Sequence, residues 1–153
     1  MQQKAPIPRS ILSLDIGKKR IGLAGCDALG ITIKRLPAIH RKKFTQDLHS
    51  IKECCRNRNV EGLVFGLPLD EKGLPTKQSE ICQHYGERLA IELQLPIAWV
   101  NEHSTSWLAS EVLNLRNDRS GRVDSEAAAL ILEQWLREGP DLKPIKKDVT
   151  TIN

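Results

Sequence analysis

Three carboxylates stand at places where a packed α/β fold would ordinarily carry apolar or indifferent residues. Asp15 ends the run "SILSLD", residues 10–15, at a point where a buried strand should go on being apolar. Glu102 follows another such run, "LPIAWV" at 95–100, after Asn101. Asp124 opens the inward stripe of the last helical segment, in step with Ala127 or Ala128, Ile131 and Trp135. Singly, each has a plain structural explanation. Asp15 and Glu102 could be edge carboxylates satisfied locally or paired with Lys18 or Arg20. Asp124 could answer the helix dipole, which favours an acid in the first turn by about 0.3–1 kcal/mol.

Together the three read differently. In open α/β sheets, functional groups gather outside the carboxyl ends of the strands, and a helix laid over the sheet can bring Asp124 to that same edge. Carboxylates converging at low dielectric raise one another's pKa unless a cation is present. Hard oxygen donors suit Mg²⁺ or Mn²⁺, which keep waters or substrate phosphates in their remaining positions. Two such ions about 3.5–4 Å apart can clamp the attacking and leaving oxygens of an in-line phosphodiester displacement. The expected catalytic and metal-holding residues are therefore Asp15, Glu102 and Asp124, in a two-metal site.

The elements that must position them follow from periodicity. Ser10–Ile16 and Ile21–Cys26 read as strands joined by Gly17-Lys18-Lys19-Arg20, a turn of hairpin length, and Ile31–Ile39 as a third strand. Phe44, Leu48, Ile51 and Cys55 place a helix over Lys42 to about Arg58. Val60–Phe65 is a short strand ended by Gly66-Leu67-Pro68, and Leu69–Thr76 is a loop. Thr76 is a candidate N-cap for a helix marked by Ile81, Tyr85, Leu89 and Leu93. After the strand at 95–100 come helices at about Thr105–Leu115 and Val123–Arg137, separated by the basic loop Arg116–Arg122. This order predicts one α/β domain over residues 10–138: a mixed five-stranded sheet with an antiparallel ribbon and helices on both faces. Residues 1–9 are expected to form a short N-terminal arm, and 139–153 a flexible C-terminal tail.

The 153 residues carry 23 Lys and Arg against 19 Asp and Glu, a net charge of +4, which hints at a polyanionic partner. "MQQKAPIPRS" has no apolar core of a signal peptide, and no run nears the roughly 18 residues of a membrane span. The four cysteines lack paired CxxC spacing, so reduced thiols in the cytoplasm are expected. Lys18, Lys19, Arg20, Arg116, Arg119 and Arg122 flank the acids along the chain and are the candidates for phosphate contacts. Lys34-Arg35, His40-Arg41-Lys42-Lys43, Arg56 and Arg58 read instead as solvated surface.

Four segments in this order, "LDIGKKRIGLAGCD", "VFGLPLDEKG", "VNEHSTS" and "VDSEAAALILEQWL", resemble the YqgF/RuvX family over roughly residues 10–137. That family is a bacterial branch of the ribonuclease H-like superfamily, described both as Holliday junction resolvases and as pre-16S ribosomal RNA nucleases. The resemblance implies a ribonuclease H-like fold, with Asp15, Glu102 and Asp124 as the metal-binding triad. Some neighbours depart from the family pattern: Ile16 stands where Pro is more frequent, Asn101 and His103 flank Glu102 in place of Asp and Arg, and Ser125-Glu126 follow Asp124. Ala127 stands where related resolvases can carry a further acid.

The expected activity is thus a metal-dependent endonuclease acting on structured RNA, in particular at the 5′ end of pre-16S ribosomal RNA. The alternatives are a resolvase of branched DNA, which would favour a homodimer over a monomer because symmetric cuts need two sites, and a nucleic-acid-binding module of little catalytic power. The opening Asp-x-Gly also resembles the phosphate-1 loop of actin-like ATPases, but those need two such domains around the nucleotide.

Overall fold

A computed structural model describes residues 9–102 and 122–145. The elements run β1 (Ile11–Ile16), β2 (Arg20–Cys26), β3 (Ile33–His40), α1 (Phe44–Arg58), β4 (Gly62–Pro68), α2 (Lys77–Leu93), β5 (Ile97–Glu102) and α3 (Arg122–Glu138). The five strands form one sheet in the order β3-β2-β1-β4-β5. β1 pairs antiparallel with β2 and parallel with β4; β2–β3 is antiparallel and β4–β5 parallel. This is the mixed sheet expected from the sequence. The helix expected at about 105–115 lies outside the described residues.

Alternation along the strands sorts side chains between two faces. Leu12, Leu14, Leu23, Leu63 and Phe65 point to one face and pack with Ile51 of α1 and Leu89 of α2. Ile11, Ala24, Val64, Ala98 and Val100 point to the other and pack with Ala128, Ile131, Leu132 and Trp135 of α3. Local chemistry sets the helix ends. Thr76 caps α2, its hydroxyl accepting from the Ser79 amide at 3.1 Å. α1 and α2 each end on a left-handed residue, Asn59 (φ 51°) and Gln94 (φ 55°).

The edges differ from the expectation in three places. β4 continues through Gly66-Leu67-Pro68, which pair with Val100, Asn101 and Glu102, so the Gly-Leu-Pro stretch is strand and not turn. β3 contains an irregularity opposite Ile21–Leu23, next to Pro37, which has no amide proton to give the ladder. The chain does not leave the body at residue 138. Lys143 exchanges backbone hydrogen bonds with Ile97 at 2.8 and 2.9 Å, Pro140 accepts from the Trp135 indole N–H at 2.5 Å, and Leu142 packs on the α3 side of the sheet.

Candidate active site

The three acids come to one edge and one face. Asp15 lies near the carboxyl end of β1, following Ile11 and Ser13 on the α3 side. Glu102 ends β5 on the same side, following Ala98 and Val100. Asp124 sits in the first turn of α3. Two glycines make the convergence possible. Gly22 is the register partner of Asp15, and a Cβ there would stand 2.0 Å from the Asp124 carbonyl oxygen. The start of α3 therefore rests directly on the backbone of β2, which only glycine permits. Gly66, on the strand between β1 and β5, plays the corresponding part for Glu102, whose Oε2 would lie 2.8 Å from a Cβ at that position.

Hydroxyls fix the helix in this register. Ser13 Oγ donates to the Ala128 carbonyl at 2.7 Å, tying β1 to α3 two residues before Asp15 and one turn after Asp124. Ser125 Oγ donates to the Leu36 carbonyl at 2.6 Å, holding the same helix end to β3. Both serines are buried, so each bond also satisfies a hydroxyl that would otherwise lose its hydrogen bond to water. The sequence had offered neither serine as a site residue. Serine within a β-like run is the signal that could have marked Ser13, but nothing along the chain names its partner 115 residues away.

The electrostatics are those of a crowded acidic pocket. The Asp15 carboxyl is held well above the usual carboxylate range, first by burial and then by the charges of Glu102 and Asp124. Glu102 is itself buried, 7% exposed, so little water screens it from Asp15. Asp124 is partly neutralised: Arg20 Nε donates to its Oδ2 at 2.8 Å, with both side chains about three-quarters buried (25% and 22% exposed). Among the described residues, no three His, Cys, Asp or Glu side chains stand as a ready-made ligand shell for one ion. The arrangement is thus a set of hard oxygen donors with an arginine seated on one of them.

The cations divide sharply. Lys18 and Lys19 are exposed on the turn just beyond Asp15, closed by a Gly17 amide to Arg20 carbonyl bond of 2.9 Å. Arg20, expected to face phosphate, instead turns to Asp124. Arg116 and Arg119 lie outside the described residues, and Arg122 contributes its backbone to the first turn of α3. Two sites read as solvated surface are engaged in the structure. Arg35 forms a two-pronged pair with Glu126, which is buried, 8% exposed, and not on the outer charged side of its helix. The cause is reach: β3 passes close enough to α3 for a guanidinium to cover that carboxylate. Arg41 donates from its guanidinium to the Gly17 carbonyl at 2.7 Å and from its amide to Lys19 at 2.8 Å, bracing the turn after Asp15. It also stacks over the Tyr85 ring at 4.5 Å.

A mixed β3-β2-β1-β4-β5 sheet with three acids gathered at the ends of β1, β5 and α3 defines a ribonuclease H-like fold with an acidic edge. Solved structures agree: two of Thermus thermophilus RuvC, one in complex with a Holliday junction substrate, superpose with TM-scores of 0.55 and 0.53. They cover 89% and 88% of this chain and 99% of their own, at 14% identity, a likeness of fold alone. The family model described as "RuvX: Holliday junction resolvase" matches residues 9–138, and the chain belongs to that family. A protein of Parasynechococcus marenigrum named "Putative pre-16S rRNA nuclease" is 61% identical over 141 residues, 92% of this chain and 90% of its own length. One of Prochlorococcus marinus (strain MIT 9313) with the same name is 61% identical over 145 residues, 95% and 90% of the two chains.

Proposed function

We propose that this chain is a metal-dependent endonuclease that hydrolyses phosphodiester bonds of structured nucleic acid, with precursor 16S ribosomal RNA as its substrate. The observation that carries the reading is the Asp15 carboxyl, pressed by burial and by two other acids on the same face of the sheet. A pocket that raises a carboxyl in this way destabilises its own charged form, a cost a fold accepts when a cation is to be bound there. The names of these two relatives support the choice of RNA, while the family's description keeps four-way DNA as the second substrate to try.

The donor set fits Mg²⁺ or Mn²⁺: all three candidate ligands are carboxylates and none is soft. When bound, such ions supply charge neutralisation and an activated water for in-line displacement. Asp15, Glu102 and Asp124 would hold them. The rest falls to the protein. β1 and β5 hold their acids on a rigid sheet, Ser13 and Ser125 keep α3 in register, and Lys18 and Lys19 draw the substrate's phosphates toward the edge. Arg20 neutralises Asp124, donating from Nε to its Oδ2. Arg116, Arg119 and Arg122 complete the proposed phosphate contacts. With reduced thiols at all four cysteines, and no helix among the described residues long and apolar enough to cross a membrane, we place the enzyme in the cytoplasm.

The test is cleavage of a panel of single-stranded RNA, precursor rRNA and four-way DNA with Mn²⁺, with product ends mapped. Asp15→Asn and Glu102→Gln should each lower cutting by more than about 100-fold, the upper end of what losing a ligand's outer hydrogen-bond partner costs. Full cutting by Glu102→Gln would remove that residue from the site. Binding of every substrate with no cutting by the wild type would leave a binding module.

A further inference from the structure

We propose that the groove between β3 and α1 is a second contact surface for the sugar–phosphate backbone, carrying the substrate strand away from the acids. The inference rests on the nuclease reading above and extends it to His40 and Lys42, which the sequence offered only as solvated surface, and to His49 of α1. The groove has a volume of about 600 Å³, and His40, Lys42 and His49 stand on its walls, all three exposed. Among the described residues its only lining acid is Asp47, which turns inward: it is 2% exposed, Oδ1 accepts from the Lys42 amide at 2.9 Å, and Oδ2 accepts from the Tyr85 hydroxyl at 3.0 Å. The charge presented to solvent in the groove is therefore cationic.

Its position gives that charge a purpose. His40 is the register partner of Arg20, whose guanidinium touches Asp124. Arg41 then binds the Lys19 and Gly17 carbonyls, so the groove and the Lys18-Lys19 turn are braced as one surface. The acids lie on the α3 face and α1 on the other, so a strand that leaves the acids reaches this groove by passing over the Lys18-Lys19 turn, beside His40, to the other face of the sheet. Among the described residues none of the lining side chains is Phe, Tyr or Trp, and Thr45 and Ser50 add hydroxyl donors. Such a wall suits phosphate and sugar better than a stack of bases, so the contact is largely independent of sequence and sensitive to salt.

The experiment is binding of a fluorescein-labelled RNA stem with a single-stranded extension, measured by anisotropy in EDTA over a series of salt concentrations. Three proteins are compared with the wild type: Lys42→Ala/His49→Ala in the groove, Lys18→Ala/Lys19→Ala on the turn, and Lys42→Arg. The groove double variant should bind about fivefold or more weakly, and its log Kd against log salt slope should fall by about 0.7–0.9, one phosphate contact. Lys42→Arg should bind like the wild type, which separates lost charge from disturbed structure. An unchanged affinity or slope in the groove variant, with clear weakening in the turn variant, would overturn the groove and leave the nuclease reading standing. No binding by the wild type, or no effect from either pair, would bring down both.

Discussion

The two faces of the sheet are built to different specifications. The face toward α1 and α2 is filled by Leu12, Leu14, Leu23, Leu63 and Phe65, with Phe65 stacked on Trp99 at 4.8 Å. The face toward α3 presents Ser13, Gly22, Ala24 and Gly66 beneath Ala128 and Ala129. Large side chains supply roughly 1.5–3 kcal/mol each on burial, so the first face carries more of the stability. The second gives up apolar area to bring a helix end onto the sheet backbone. Both faces thus bury large side chains, Ile11, Ile131, Leu132 and Trp135 on the α3 side, but site placement is concentrated on that side, where small residues let the helix end approach.

Substitutions on each side can test that division. Phe65→Ala should be the most destabilising, by about 3–5 kcal/mol in urea unfolding, while the molecules still folded at low temperature cut at the wild-type rate. Gly22→Ala reverses the pattern. Its stability loss should be smaller, about 1–3 kcal/mol for an overpacked contact, but the start of α3 must move, and metal-dependent cutting should drop below that of Phe65→Ala. Equal loss of cutting in both would erase the distinction between the faces. The gentlest probe is Asp15→Asn without metal. Because the folded carboxyl is raised above its unfolded value, the stability it contributes is full below about pH 4 and is lost as pH rises through the raised folded value. In EDTA at neutral pH the variant should therefore melt higher, by about 2–4 °C for each kcal/mol regained. That gap should close toward pH 4 and shrink when Mn²⁺ is added to both proteins.

Much of this was legible along the chain. The acids announced themselves because each interrupts an apolar pattern at an element's end, and in the structure the charges of Glu102 and Asp124 bear on Asp15. The succession of strands and helices along the chain followed from the change of period after Ile39. What stayed hidden depends on approach distances between remote segments. Gly22 reads as a weak point in a strand until Asp124 is found lying on it. Arg35 reads as solvated surface because nothing near it in the chain points to Glu126, 91 residues on, which it covers from β3. Arg20 and Asp124 are 104 residues apart, so their pairing leaves no local mark. The basic run at 40–43 looked like one more charged surface because nothing in its composition places it beside the turn after Asp15.

The margins of the sheet have a bearing on association. β3 is interrupted by Pro37 and an irregular register and carries the exposed Lys34 and Arg35, while the outer side of β5 is occupied at Ile97 by Lys143. Among the described residues, strand-by-strand self-templating is therefore disfavoured along β3 and at the Ile97 end of β5. A twofold pairing of this protein for symmetric cuts is expected through its helices or loops.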